Sequence, residues 1–320
     1  MKAVELSRFG EALGVVDKPL PEPAKNQVRV RMLLSPIHNH DLMIVKGVYG
    51  TLPTLPAVPG TEAVGIVDAL GEGVTGVQVG QRVTGNGAGT WAEYYLAEAP
   101  FLTAVPENLD NETACQLMSM PLSAKMILAD LDVKEGDWII QNAGNGLVGK
   151  LVSRFGKKRG INVISLVRRD DAVAELAQHG VDTVVSTEAP DWRDRVKEMT
   201  GGAPIIRALD SVGGEAAGDL LDLLGDGGEL VNFGALSAKS IKVSPSQLLF
   251  RGLRLRGFWA AKPSLSRETV LALRKELLGE AAAGELHLPV ERQFSLDEIG
   301  DAVQASQTPG RKGKIVLAAR

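Results

Sequence analysis

The stretch from Trp138 to Phe233 restricts the fold more than any other part of the chain. Trp138–Gln141 (WIIQ) reads as a short buried strand. In Leu147–Lys158, Leu147, Val148, Leu151, Val152 and Phe155 share one face while Lys150, Arg154 and Lys157 take the other, which is a helical period. Ile161–Val167 is a continuous apolar strand, and Ala172–His179 is a helix stopped by Gly180. Then follow a strand at Thr183–Val185, a helix near Trp192–Met199, a strand at Ile206–Asp210, a helix near Glu215–Leu224 and a strand at Glu229–Phe233. Strands apolar on both faces, alternating with amphipathic helices, predict a doubly wound α/β unit around a parallel sheet.

The flanks have another texture. Val28–Ile37 opens with strict apolar/charged alternation, the mark of a half-buried strand, and Ala63–Leu70 and Ala92–Ala99 are further strand candidates. The glycine-dense segment between them suits tight turns joining short strands. After residue 263 the strand texture returns: Leu288–Phe294 reads as extended, Ser295 and Glu298 form a capping box opening a helix, and Lys314–Ala318 closes the chain. The expected organisation is a β-rich domain at 1–118 and 264–320, with an α/β domain at 119–263 inserted into it. A net charge of −4 gives no reason to expect a nucleic-acid or anionic-membrane partner. A single cysteine, Cys115, excludes an intrachain disulfide and a multi-cysteine zinc site. MKAVEL begins as a strand and not as a signal peptide, so a cytoplasmic enzyme is expected.

Between the first α/β strand and its helix lies GNGLVG, residues 144–149, a G-x-G-x-x-G pattern. The pattern is weak alone, but strand before, helix after and second strand next is the context of a dinucleotide loop. Gly144 would permit the tight turn, Gly146 the approach of a pyrophosphate, and Gly149 close helix–strand packing. The anion would meet the free N–H groups and positive dipole end of the helix. The alternative is a glycine-rich turn without a ligand. Past the second strand, where NAD proteins place an acid for the ribose hydroxyl, this chain has Arg168 and Arg169. Paired guanidinium groups suit the 2′-phosphate of NADPH, and Asp170 and Asp171 are expected to cap the next helix. A solvated basic edge continuing Lys157, Lys158 and Arg159 is the competing explanation.

His38, His40 and Asp41 look like the start of a metal site, and Tyr49 follows in GVYG. With its β-rich domain, inserted nucleotide domain and C-terminal return, the chain resembles the medium-chain dehydrogenase/reductase superfamily over essentially its whole length. The resemblance implies a Rossmann doubly wound sheet inserted into a GroES-like catalytic domain. In the zinc members the ligands are a Cys three residues before an Asp, the His of a Gly-His-Glu, and a Cys at the domain join. Here those positions hold His38, Thr61 and Ser119, with Cys115 displaced, and the four-cysteine structural lobe is absent. Catalytic zinc takes about three N, S or carboxylate ligands from the protein. No metal is therefore expected, and His38 and His40 are expected to be hydrogen-bonded residues near a strand end.

GVYG (47–50), LPAVPGTEAVG (55–65), DWIIQNAGNGLVG (137–149), LVRRD (166–170), DSVGG (210–214) and LLFRGLRLRGFW (248–259) are more specific. They resemble the zinc-free, mitochondrial-type 2-enoyl thioester reductases, with quinone oxidoreductases as relatives. That resemblance makes Tyr49 the catalytic donor to the enolate oxygen. It places Asn145, Gly146, Leu147, Val148, Arg168, Arg169, Asp170, Phe233, Gly234, Ala235, Leu236, Phe258, Trp259 and Lys314 against NADPH, with Trp259 and His38 beside the substrate. The chain departs from the family at Met120-Pro121, where Asn-Pro is common, and at His38, where Asn is common; these bear on the substrate more than the cofactor. The expected function is NADPH-dependent reduction of a trans-2-enoyl thioester on CoA or acyl-carrier protein, in a homodimer. The alternatives are a quinone oxidoreductase and a non-catalytic NADPH-binding protein.

Overall fold

The structure is a computed structural model and describes residues 1–319. Its contacts divide the chain into two units, Met1–Ser119 together with the chain from Arg274 onward, and Met120–Leu273. The joins expected from sequence were 118/119 and 263/264.

The first unit begins with a small antiparallel pair, β1 (Lys2–Glu5) and β2 (Gly14–Asp17). Then come β3 (Gln27–Pro36), α1 (Asn39–Val45), β4 (Glu62–Leu70), β5 (Arg82–Asn86), β6 (Tyr94–Glu98), β7 (Leu102–Ala104) and the single-turn α2 (Asn111–Ala114). The inward residues of β3 are Val28, Val30, Met32 and Leu34, all buried, while Arg31 is exposed, as the alternation demands. β3 pairs antiparallel with both β4 and β6, so it sits at the centre of this sheet. Around Trp91, Met32 and Leu6, each fully buried, the core of the unit closes.

The second unit opens with α3 (Met120–Asp130), followed by β8 (Trp138–Gln141), α4 (Leu147–Lys158), β9 (Asn162–Val167), α5 (Asp171–Gln178), β10 (Val184–Ser186), α6 (Trp192–Thr200), β11 (Ile205–Asp210), α7 (Gly214–Leu223), β12 (Glu229–Asn232), α8 (Pro245–Leu249) and β13 (Arg254–Gly257). All six strands are parallel, in the order β10-β9-β8-β11-β12-β13. The chain starts mid-sheet, winds to one edge, returns and winds to the other, so the switch of direction lies between β8 and β11. In such sheets ligands bind outside the carboxyl ends of the strands at that switch. Ile140, Ile164, Ala208 and Leu230 fill the sheet interior with almost no exposure.

Helix α9 (Arg267–Ala282) spans the second division. Beyond it, β14 (Val290–Ser295), α10 (Ile299–Gln307) and β15 (Lys314–Ala318) rejoin the first unit, with β15 pairing antiparallel to β3. The capping box holds, Glu298 accepting from the Ser295 N–H at 2.9 Å. Among the described residues no helix is long and apolar enough to cross a membrane.

Candidate active site

In the first unit the site is built where β3 ends. His38 and His40 are hydrogen-bonded residues just past the end of β3, as expected, and there they begin the short helix α1, which the strand pattern had hidden. The His38 backbone N–H donates to Asp41 Oδ2 at 2.9 Å, which closes the first turn and brings both imidazoles to one side. Their rings stack, with centroids 5.0 Å apart. His38 Nε2 lies 2.7 Å from Glu62 Oε2, both side chains without solvent exposure. Glu62 Oε1 accepts from the backbone N–H groups of Met118 and Ser119.

A second chain of bonds runs beside this pair. His40 Nε2 is 2.7 Å from Thr61 Oγ1, and Thr61 Oγ1 donates to Asp41 Oδ1 at 2.7 Å. Asn86 donates to Ser119 Oγ at 3.2 Å. Tyr49, half-buried after α1, packs against His40 with ring centroids 5.8 Å apart and planes 31° from parallel. The structure thus brings together Tyr49, His40, Thr61, Asp41, His38 and Glu62.

Burial dominates the electrostatics. It pushes the Glu62 carboxyl up to about 8, against the stabilising N–H groups of Met118 and Ser119. Burial likewise holds His38 well below the usual imidazole value, helped by the positive charge of Lys314. Lys314, at the start of β15, keeps some solvent contact yet is hemmed in by protein, and desolvation followed by repulsion from Arg311 lowers its ammonium.

These residues do not suit zinc. The positions that bear ligands in zinc relatives hold His38, Thr61 and Ser119, and neutral hydroxyls are poor zinc ligands. His38 Nε2 is already engaged by Glu62 and His40 Nε2 by Thr61. Among the described residues no three His, Cys, Asp or Glu side chains group as a metal site.

In the second unit the candidate cofactor residues gather at the carboxyl edge of the sheet. The glycine loop follows β8, but its left-handed residue is Ala143, at φ +49°, and not Gly144. Gly144 instead permits close approach to β9: a Cβ there would stand 2.6 Å from that of Ser165. Gly149 faces the Ala143 and Gly144 carbonyls, where a Cβ would come within 2.9 and 2.8 Å. Gly146 is the N-cap of α4, and the first turn of that helix, which begins at Leu147 and Val148, carries no acidic side chain. A side chain at Gly146 would fill the space over the Ala143 carbonyl, so the bare loop at the N-terminus of α4 fits a pyrophosphate.

Arg168 and Arg169 are exposed at the end of β9, where a 2′-phosphate would be held. Asp170 occupies the N-cap of α5 with helical backbone angles, but its side chain makes no capping bond; the capping expected of it fails because an N-cap acceptor needs an extended backbone. Phe233 and Leu236 are tied back to Asp210 and Ser211 through their N–H groups, and Gly234 permits close packing on Ser211. Phe258 is buried after β13 and Trp259 half-buried beside it. Asn145 and Ala235 lie in the same loops.

Sequence reasoning missed the residue that holds this edge together. Asp210, fully buried at the end of β11, accepts from Asn142 Nδ2 at 2.6 Å, Asn232 Nδ2 at 2.7 Å, and the N–H groups of Val212 and Gly213. It ties the loops after β8, β11 and β12 at the switch point. The DSVGG run carried the residue, but its partners lie on other strands.

Two family models match the chain: the alcohol dehydrogenase GroES-like domain over residues 24–107 and the zinc-binding dehydrogenase over residues 148–276. The mitochondrial enoyl-[acyl-carrier-protein] reductase of Xenopus tropicalis is 33% identical across 97% of this chain and 93% of its own. A structure from Bacillus thuringiensis assigned as an NADPH:quinone reductase superposes with a TM-score of 0.92 at 27% identity, covering 100% of this chain and 99% of that one. The Escherichia coli quinone oxidoreductase complexed with NADPH gives a TM-score of 0.87 at 25% identity, covering 99% and 100%. The chain belongs to the medium-chain dehydrogenase/reductase family, in the zinc-free branch that holds these reductases, and is an oxidoreductase of that family.

Proposed function

We propose that the protein reduces the carbon–carbon double bond of trans-2-enoyl thioesters with NADPH, without zinc, and that Tyr49 stabilises the enolate. The observation that carries this is Tyr49 packed on His40 beside a cluster whose three zinc-ligand positions hold His38, Thr61 and Ser119. Charge developing on the thioester oxygen needs a donor, and a phenol O–H supplies one. The relative named as an enoyl reductase supports the substrate class.

NADPH, when bound, supplies the hydride. Gly144, Asn145, Gly146, Leu147, Val148 and Gly149 receive its pyrophosphate, and Arg168 and Arg169, with Asp170 adjoining, its 2′-phosphate. Phe233, Gly234, Ala235, Leu236 and Phe258 line its remaining length. Lys314 would offer a further cationic contact and Trp259 an apolar one, while His38, buried against Glu62, would act from behind the substrate pocket and not at its surface. Tyr49 donates to the thioester oxygen while negative charge builds, and it or a water behind it protonates the α-carbon.

Reduction of a quinone with the same cofactor is the second reading, favoured by the assigned name of the Bacillus structure. NADPH oxidation followed over trans-2-enoyl-CoA thioesters of rising chain length, with small quinones beside them, separates the two. Faster turnover of a quinone than of every enoyl thioester rejects the first reading. NADPH binding without turnover of either class points instead to a non-catalytic binder.

The working form is a cytoplasmic homodimer. β13 is an edge strand with open backbone groups, and Leu249 and Phe250 beside it are 74% and 85% exposed. Sedimentation of the wild type against Phe250→Asp checks this: the variant should be monomeric, and a monomeric wild type contradicts it.

A further inference from the structure

A threonine hydroxyl has one proton to give. Thr61 spends it on Asp41 Oδ1, a carboxylate that also accepts the His38 N–H at its other oxygen. Toward His40 the threonine oxygen can therefore only accept, and the proton in that 2.7 Å bond belongs to His40 Nε2. Neutral His40 is then the Nε2–H tautomer, and any second proton it carries sits on Nδ1. Nδ1 is the atom from which the ring can release a proton without breaking its link to Thr61.

The same ring packs on Tyr49, and its side chain keeps 18% of its exposure, enough to exchange protons with water. The charged and titratable groups around it are Asp41 and His38 on α1, Glu62 on β4 and Lys314 on β15. Of these, Asp41 Oδ1 lies 3.6 Å from Nε2.

We propose that His40 is a positioning residue that restores the proton of Tyr49, with Thr61 and Asp41 fixing its tautomer. This rests on the reading of Tyr49 as the donor. Tyr49 breaks its O–H bond as the enolate pair forms a C–H bond at the α-carbon, leaving a phenolate. Imidazolium Nδ1–H then breaks, the proton passes to the phenolate, and His40 is left as the Nε2–H ring that Thr61 already holds. Solvent water reprotonates Nδ1.

Two measurements test it. In protein labelled with nitrogen-15 on histidine, the His40 signals are identified by their loss in His40→Gln. They should show a proton on Nε2, and the Nδ1 signal should move in Tyr49→Phe; an Nδ1–H neutral tautomer or an unmoved signal overturns the proposal. In turnover, His40→Gln should lose about tenfold or more in kcat for an enoyl thioester, with KM for NADPH unchanged and rate restored by added imidazole. A loss under about twofold, or one that imidazole leaves untouched, overturns the relay. His40→Asn serves if the glutamine variant does not fold. Tyr49→Phe separates the two ideas: an active Tyr49→Phe removes the tyrosine as donor, whereas a crippled Tyr49→Phe beside an unaffected His40→Gln removes only the relay.

Discussion

Each unit buries a carboxylate among its own candidate residues, and the two are treated in opposite ways. Asp210 accepts from two side-chain amides and two backbone N–H groups, so its oxygens are saturated. Glu62 has two backbone N–H groups on one oxygen and a buried imidazole on the other. A saturated carboxylate acts as a clamp and fixes three loops at the strand ends. One whose charge is incompletely offset is instead held near a change of protonation, at about 8. Rigidity thus falls on the nucleotide side and proton mobility on the side bearing Tyr49. This is the division that a hydride transfer followed by a protonation calls for.

The comparison breaks first at Asp210. Asp210→Ala leaves buried amide and N–H donors unpaired and should cost about 3 kcal/mol in urea unfolding. A change below about 1 kcal/mol would mean that the carboxylate is not the clamp. Next is the double replacement Arg168→Ala with Arg169→Ala. Loss of two charge-assisted contacts should weaken NADPH binding by about 2 kcal/mol while leaving NADH nearly unchanged. Equal weakening of both cofactors would show that these side chains do not read the 2′-phosphate.

The smallest expected effect sharpens the comparison. A carboxyl whose folded pKa is raised binds an extra proton in the native state, so its contribution is present at low pH and lost as pH rises toward that value. His38 works in the other direction: kept neutral by burial, it costs stability as pH falls below 6.5, the ordinary value of an imidazole. Between pH 6.5 and about 8 the Glu62 slope is the one that separates the wild type from Glu62→Gln. There the wild type should lose stability relative to Glu62→Gln by about 1 kcal/mol per pH unit. Parallel stability curves for the two proteins in that window contradict a raised Glu62.

Much of the nucleotide unit was legible because its signals are local. The strand WIIQ and the helix at Leu147–Lys158 lie where the periodicity put them, since one apolar face per element suffices to mark them. The capping box at Ser295 and Glu298 is likewise a three-residue signal. Helix α3 escaped because Pro121 through Leu128 are all buried, and a helix covered on every side has no polar face to show a period. Helix α1 escaped because it is short and its histidines and aspartate resembled a metal cluster. The bonds that decide the chemistry join residues on different elements, His38 to Glu62 and His40 to Thr61. They exist only once β3 and β4 are paired, so spacing alone could not reveal them. Tyr49 could be singled out by family resemblance, but its contact with His40 needed the fold.

The central claim is that a phenol does the work a bound cation does in zinc relatives, and kcat/KM of Tyr49→Phe on a trans-2-enoyl thioester tests it most directly. The account predicts a loss of about 3 kcal/mol, or roughly a hundredfold, with NADPH affinity unchanged. A loss of less than about threefold would contradict it.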